Sequence, residues 1–177
     1  MPKEILIEKA LEGNQKAYKE LFDKYVNNLY RYLRQFSSDS DRVQEWVQKA
    51  FIKAFKNLET FHGNSSFATW LFKIAINEMR TDFRNSSNKI HEEFEENFYA
   101  DEYFTNGEFE WQDEMKCLLN DLDEMKKNIF ILYEVEGYKH NEIAEILDIS
   151  ESLSKTNLHR TKKILQDKWF KMRGQHD

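Results

Sequence analysis

The stretch Phe61-His-Gly-Asn-Ser-Ser-Phe67 sets four short polar side chains, His62, Asn64, Ser65 and Ser66, between aromatic rings. Imidazole, amide and hydroxyl groups read base edges, and aromatic faces stack on bases that have left the duplex. Lys73, Asn77, Arg80 and Arg84 follow at three- and four-residue steps, so on a helix they share one face. On that face Asn77 suits a base edge and the cations suit phosphates. A second cluster, Ser152, Lys155, Thr156, His159, Arg160 and Lys163, lies in the segment from Glu151 to Met172. Cations crowd that end of the chain: Lys155, Arg160, Lys162, Lys163, Lys168, Lys171 and Arg173 oppose only Glu151 and Asp167. The first cluster suits unpaired bases and the second suits duplex DNA.

No other chemistry competes. The sequence holds no nucleophile–base pair and no phosphate-cradling glycine loop, and His62, His91, His140, His159 and His176 lack ligand spacing. No catalysis, metal or cofactor is therefore expected. Cys117 is the single cysteine, which excludes an intramolecular disulfide; beside Leu118 and Leu119 it is expected to be buried. No secretion signal or membrane-spanning apolar run is visible, so the reading is a cytoplasmic chain without membrane insertion. The formal charge of −6 argues against a stand-alone DNA binder and directs attention to local basic faces.

The elements that must position these groups are helical. Five glycines and one proline in 177 residues, with many Leu, Lys, Glu and Phe residues, predict an all-α chain of two small helical domains. Gly13 ends a short first helix and Asn14 caps a long second one, whose stripe is Ala17, Leu21, Phe22, Tyr25, Leu29, Tyr32, Leu33 and Phe36. A third carries Val43, Trp46, Val47, Ala50, Phe51, Ala54, Phe55 and Leu58; a fourth carries Phe67, Trp70, Leu71, Ile74, Ala75 and Met79. Residues 89–110 read as a flexible acidic linker, rich in Glu and Asp but studded with aromatics. Beyond it, Met115, Leu118 and Leu119 mark one helix, Asp121 or Asp123 caps the next, and Gly137 stops that one. Asn141 to Arg160 has the requirements of a helix-turn-helix: small Ala144 at the crossing, Asp148 for the turn, Ile143, Leu147, Ile149 and Leu158 for packing, and Ser150 as a cap.

The order Ala17–Tyr25, Val47–Phe55 and above all Phe61-x-Gly-x-x-Ser-Phe-x-Thr-Trp-Leu-x-x-Ile-Ala-x-Asn77 resembles region two of extracytoplasmic-function RNA polymerase sigma factors. Glu136-Gly137-Tyr138 through Leu147, with Leu158-His159-Arg160, is similar to region four. The resemblance implies a region-two domain at 1–88, the linker at 89–110 and a region-four domain at 111–177. It implies core RNA polymerase and promoter DNA as partners, an anti-sigma factor as a regulator, and no chemistry of the chain's own.

By the same resemblance, the Phe61–Phe67 loop with Lys73, Asn77, Arg80 and Arg84 would serve the minus-ten element. Ser152, Lys155, Thr156, His159, Arg160 and Lys163 would serve the minus-thirty-five duplex, and Glu45, Gln48, Lys49 and Phe51 the polymerase. Three residues depart from the family pattern. Lys49 stands where an acid is usual, Ser154 replaces a valine, which should weaken helix packing, and Asn157 replaces an arginine. Two other classes fit parts of the chain: a helix-turn-helix regulator acting without polymerase, and a degenerate sigma-like protein-binding module. Neither accounts for Phe61 to Asn77.

Overall fold

The computed structural model describes residues 3–86 and 113–173, and every regular element in them is helical. They divide into two compact units. The proposed linker, 89–110, and Trp111 lie outside the described residues.

The first unit holds α1 (Lys3–Leu11), α2 (Gln15–Leu33), α3 (Ser40–Lys56), a 3-10 turn (Leu58–Thr60) and α4 (Phe67–Ser86). Gly13 takes a positive φ of 81° and releases the chain into the cap of α2. Asn14 Oδ1 accepts from the Lys16 and Ala17 amides at 3.0 and 3.3 Å, and Asp39 Oδ1 does the same for α3, accepting from Asp41 and Arg42 at 3.1 Å. Each such cap contributes about 1 kcal/mol.

Helices α2, α3 and α4 pack on one another, and α1 packs on α2. The predicted stripes form their core: Leu21, Leu29, Tyr32, Leu33, Val43, Trp46, Val47, Leu71, Ala75 and Met79 are all within 2 % of full burial. Aromatic rings join the helices, with centroids 4.7 Å apart for Phe22–Phe51, 4.9 Å for Tyr18–Phe55 and 5.1 Å for Tyr32–Phe72. Such pairs add about 0.5–1.5 kcal/mol each beyond the area they bury. At the far end of α4, Asp82 Oδ2 accepts from Arg42 Nε at 2.6 Å and from the Trp46 indole N–H at 2.9 Å, tying α3 to α4.

The second unit holds α5 (Asp113–Asn120), α6 (Glu124–Phe130) running into a π-helical segment (Ile131–Val135), α7 (His140–Leu147) and α8 (Glu151–Arg173). Of the two candidate caps for α6, Asp123 is the one used: its Oδ1 accepts from the Lys126 amide at 2.9 Å. Gly137, at φ +74°, ends the helix as expected, but the last turn before it is widened into the π form. Leu118, Leu119 and Leu165 form a core with Met115, Leu122, Phe130 and Trp169 packed against it. Cys117 corrects an expectation: it is exposed. The buried face of α5 runs through Met115, Leu118 and Leu119, and one residue is a 100° step on a helix, so Cys117 points away.

Candidate nucleic-acid interface

The loop between the 3-10 turn and α4 is built by two local devices. Gly63 has a φ of +72°, which a residue with a Cβ adopts only with strain. Ser66 caps α4, its Oγ accepting from the Thr69 amide at 3.1 Å and lying 2.9 Å from the Thr69 hydroxyl. The exposed Ser66 hydroxyl thus serves the helix start. His62 and Asn64 are exposed and Ser65 is half-buried. At the ends of the loop, Phe61 lies against Phe67 (5.8 Å) and Trp70 (5.3 Å); Phe67 is buried, whereas Phe61 and Trp70 are half-buried.

Along α4, Asn77 and Arg84 are exposed and Lys73 and Arg80 are half-buried. Helical spacing puts all four on the side away from the buried Leu71, Ala75 and Met79. Trp70, seven residues before Asn77, lies on the same side. The Arg84 guanidinium donates to Thr81 Oγ1 at 3.1 Å, and the neighbouring Glu78 is held by Lys53 at 2.7 Å. Glu78 lies a 100° step round the helix from Asn77, so this ion pair ties α4 to α3.

On α3, Glu45 and Lys49 are exposed one helical turn apart and form an ion pair with each other. Gln48 is half-buried beside them. Phe51 is 3 % exposed and packed on Phe22 and Phe55, so its side chain supports the helix from inside and offers no contact surface. Sequence reasoning missed Ile52, 56 % exposed and one turn beyond Gln48 and Lys49. Its signal was available: Ile52 falls off the stripe of Val43, Val47, Ala50 and Ala54.

In the second unit, Asp148 adopts the left-handed conformation (φ 55°, ψ 49°) and turns the chain between α7 and α8. Ser150 caps α8, its Oγ accepting from the Leu153 amide at 3.1 Å. The buried side of α8 is Ser154, Leu158, Thr161 and Leu165. Ser152, Lys155, Thr156, His159, Arg160 and Lys163 are all exposed. The cations of α8 are not equivalent. Lys162 and Lys168 are drawn back onto the unit by Glu134 (2.6 Å) and Asp121 (2.8 Å). Lys155 is paired with Glu151 at 2.6 Å. Asn157 donates to the Leu153 carbonyl at 3.0 Å.

Ser154 is fully buried, and its hydroxyl lies 2.9 Å from His140 Nδ1 at the start of α7. The His140 ring stacks on Tyr133 (4.6 Å, 24°), over which Lys162 also sits at 5.8 Å. The polar residue in the crossing is thus satisfied by a hydrogen bond between the two helices of the helix-turn-helix. Desolvation, then the nearby charge of Lys155, hold the His140 pKa below its usual 6.5; Glu151 opposes this and Lys162 adds to it. The folded chain therefore binds that proton less readily than the unfolded chain does. Stability from this group is fully present above pH 6.5 and declines as pH falls through that value, until His140 is also protonated in the fold. Thermal melts of the full chain should show this decline, and His140→Phe, which keeps a ring for stacking, should flatten it; an unchanged pH profile would exclude His140 as its source.

An all-helical protein with one polar–aromatic loop and helix face in one unit, and a helix-turn-helix in the other, is of the nucleic-acid-binding class. Residues 21–89 match the family model described as sigma-70 region 2, and residues 112–165 match that described as sigma-70, region 4, together well over half of the chain. The chain is 27% identical over 176 residues to the ECF RNA polymerase sigma-E factor of Haemophilus influenzae, spanning 92% of this chain and 93% of that protein. It is 26% identical over 178 residues to the sigma-E factor of Escherichia coli K12, spanning 93% of each.

Two solved structures share the fold. CnrH, in complex with the cytosolic domain of CnrY, has a TM-score of 0.70 at 24% identity and covers 93% of this chain and 95% of its own. The sigma factor RpoE of Bartonella quintana, in complex with the anti-sigma factor NepR, has a TM-score of 0.65 at 22% identity and covers 86% of this chain and 96% of its own. The chain belongs to the sigma-70 family, as a sigma factor of the extracytoplasmic-function type, and acts in transcription initiation by RNA polymerase. Among the described residues no helix is long and apolar enough to cross a membrane, and no group of three His, Cys, Asp or Glu side chains is placed to hold a metal.

Proposed function

We propose that this sigma factor divides its work among three surfaces. The exposed face of α3, with Glu45, Gln48 and Lys49, docks on core polymerase. The loop of His62, Asn64 and Ser65, with Lys73, Asn77, Arg80 and Arg84 on α4, holds the opened minus-ten strand. The outer side of α8, with Ser152, Lys155, Thr156, His159, Arg160 and Lys163, enters the major groove of the minus-thirty-five duplex. In this reading residues 1–88 and 111–177 are separate working domains joined by 89–110, and the chain acts in the cytoplasm.

The observation that carries the reading is the placement of polar groups at the α4 start. His62 and Asn64 stand exposed in a loop bounded by aromatic rings, of which Phe61 and Trp70 are half-buried 5.3 Å apart, an arrangement suited to bases already splayed from the helix. Strand opening needs only binding energy, since extruding bases costs a few kcal/mol and stacking returns about 1–3 kcal/mol per base. Bond formation stays with the polymerase, and the chain itself catalyses nothing. The Bartonella quintana relative was solved with an anti-sigma factor, which supports a protein of that kind as the regulator here.

The test is to incubate the chain with core polymerase and a forked promoter fragment. A ternary complex with permanganate-reactive minus-ten thymines is expected. Duplex binding without polymerase would favour a plain regulator, and polymerase binding without DNA a protein-binding module.

The α3 face makes a separate forecast. Lys49 neutralises Glu45 where a basic polymerase surface would prefer an acid, so Lys49→Glu should preserve or strengthen binding to core polymerase. The internal cost is small: the pair is about half exposed, and like charges one turn apart cost about 0.2–0.5 kcal/mol. A large loss of affinity in a competition assay would mean that the partner surface is acidic at that point.

A further inference from the structure

We propose that Leu153 reads the 5-methyl group of a thymine in the minus-thirty-five duplex. This rests on the placement of α8 in the major groove proposed above and adds to it the base feature that one position recognises. Leu153 lies in the first turn of α8, directly after the Ser150 cap, where a recognition helix meets base edges. It is 43 % exposed, although the next residue, Ser154, is completely buried in the same turn. The 100° step between them turns Leu153 off the packed side of the helix, and a large part of its side chain is left to solvent.

Its neighbours leave the position apolar. Asn157, four residues on and on the same strip of helix, folds its amide back to the Leu153 carbonyl at 3.0 Å. Thr156 Oγ1 donates to the Ser152 carbonyl at 2.9 Å. One donor of each of these two neighbours is thus held by the backbone, and the first cation further along the strip is Arg160.

A leucine gains nothing against phosphate oxygens, nor against the donors and acceptors of guanine, cytosine and adenine. The apolar group displayed in the major groove is the thymine methyl, and burying methyl against methyl removes water from both. The cations Arg160 and Lys163 on the exposed part of the same helix suit the anionic duplex, which makes DNA the partner that complements this surface.

The experiment uses holoenzyme assembled from the full chain and core polymerase. A duplex randomised over the minus-thirty-five segment first yields a preferred sequence. Each selected thymine is then replaced by uracil, which deletes only the methyl group. At one position the replacement should weaken wild-type binding roughly three- to fourfold, the value of one buried methyl. Leu153→Ala should bind the thymine and uracil duplexes equally, at the level of wild type on uracil, and Leu153→Met should retain the methyl dependence. Leu153 is exposed, so these variants should keep the wild-type melting point.

The inference is overturned if no thymine is selected, if uracil is tolerated everywhere by the wild type, or if Leu153→Ala keeps the full methyl dependence. Arg160→Ala separates the two levels. If it weakens all sequences and flattens the salt dependence, α8 is on the DNA and only the role of Leu153 is at stake. If it changes neither, the groove placement itself fails.

Discussion

Exchanging His62, Asn64 and Ser65 for alanine, with Gly63 retained, and adding Asn77→Ala, is expected to leave a holoenzyme that still binds the minus-thirty-five duplex but no longer opens the minus-ten element. Gly63 stays because its φ of +72° would strain any replacement, and Ser66 stays because it caps α4. The changed groups are exposed or half-buried surface groups, so the fold should survive. Each lost base contact should cost about 1–3 kcal/mol and relax specificity at one position. Two such losses amount to roughly thirtyfold or more in opening, since about 1.4 kcal/mol is tenfold.

Changes on α8 should act differently. Lys155→Ala and Arg160→Ala should weaken duplex binding across sequences and reduce its salt dependence. Lys155→Ala also removes the partner of a carboxylate. It releases Glu151, whose carboxyl group Lys155 holds below the usual carboxylate range through a hydrogen bond, and leaves an unpaired anion facing phosphate. Transcription from a promoter library with permanganate footprinting distinguishes the two sets. Unchanged sequence preference and unchanged opening in the loop variant would remove the minus-ten assignment and leave a helix-turn-helix acting on duplex alone.

Trp46→Ala should cost about 3–5 kcal/mol, the range for emptying a large aromatic site in a core. Trp46 is 1 % exposed between α3 and α4, in edge contact with Phe83 at 5.3 Å. Its indole N–H is one of the two donors that Asp82 Oδ2 receives from α3, and the other donor, Arg42, also lies over the Trp46 ring at 5.4 Å. Alanine would therefore leave a cavity and loosen an ion pair at once. Small domains hold about 5–15 kcal/mol in total, so this one change consumes a large part of the first unit's stability. It should also weaken polymerase and minus-ten binding together, because α3 presents one proposed surface and α4 the other. Urea unfolding of the full chain is the measurement. Trp46→Phe separates ring volume from the indole hydrogen bond, and a loss below about 1 kcal/mol for alanine would show that the site collapses around the missing ring.

Much of this protein is local, and local properties are legible in residue order. Scarce glycine and proline with apolar residues at helical spacing determine an all-helical chain. Asn14, Asp123 and Ser150 act as caps because a short side-chain oxygen reaches amides two or three residues on, wherever the helix sits. Asp148 tolerates the left-handed turn for an equally local reason. The common face of Lys73, Asn77, Arg80 and Arg84 follows from 3.6 residues per turn alone.

What the sequence could not determine was how deep each face sits and which distant group meets it. Phe51 lies on the apolar stripe of α3 and Ile52 off it, but only the approach of α2, with Phe22, decides that Phe51 is covered almost completely. Lys162, Lys163 and Lys168 look alike in order, yet Lys162 meets Glu134, and Lys168 meets Asp121 at a separation of 47 residues, while Lys163 stays on the exposed side. Ser154 reads as a packing defect until α7 brings His140, 14 residues away, within 2.9 Å of its hydroxyl. A side chain's charge and shape are written in its own identity; its burial, and so the strength of every contact it makes, depends on which helix folds over it.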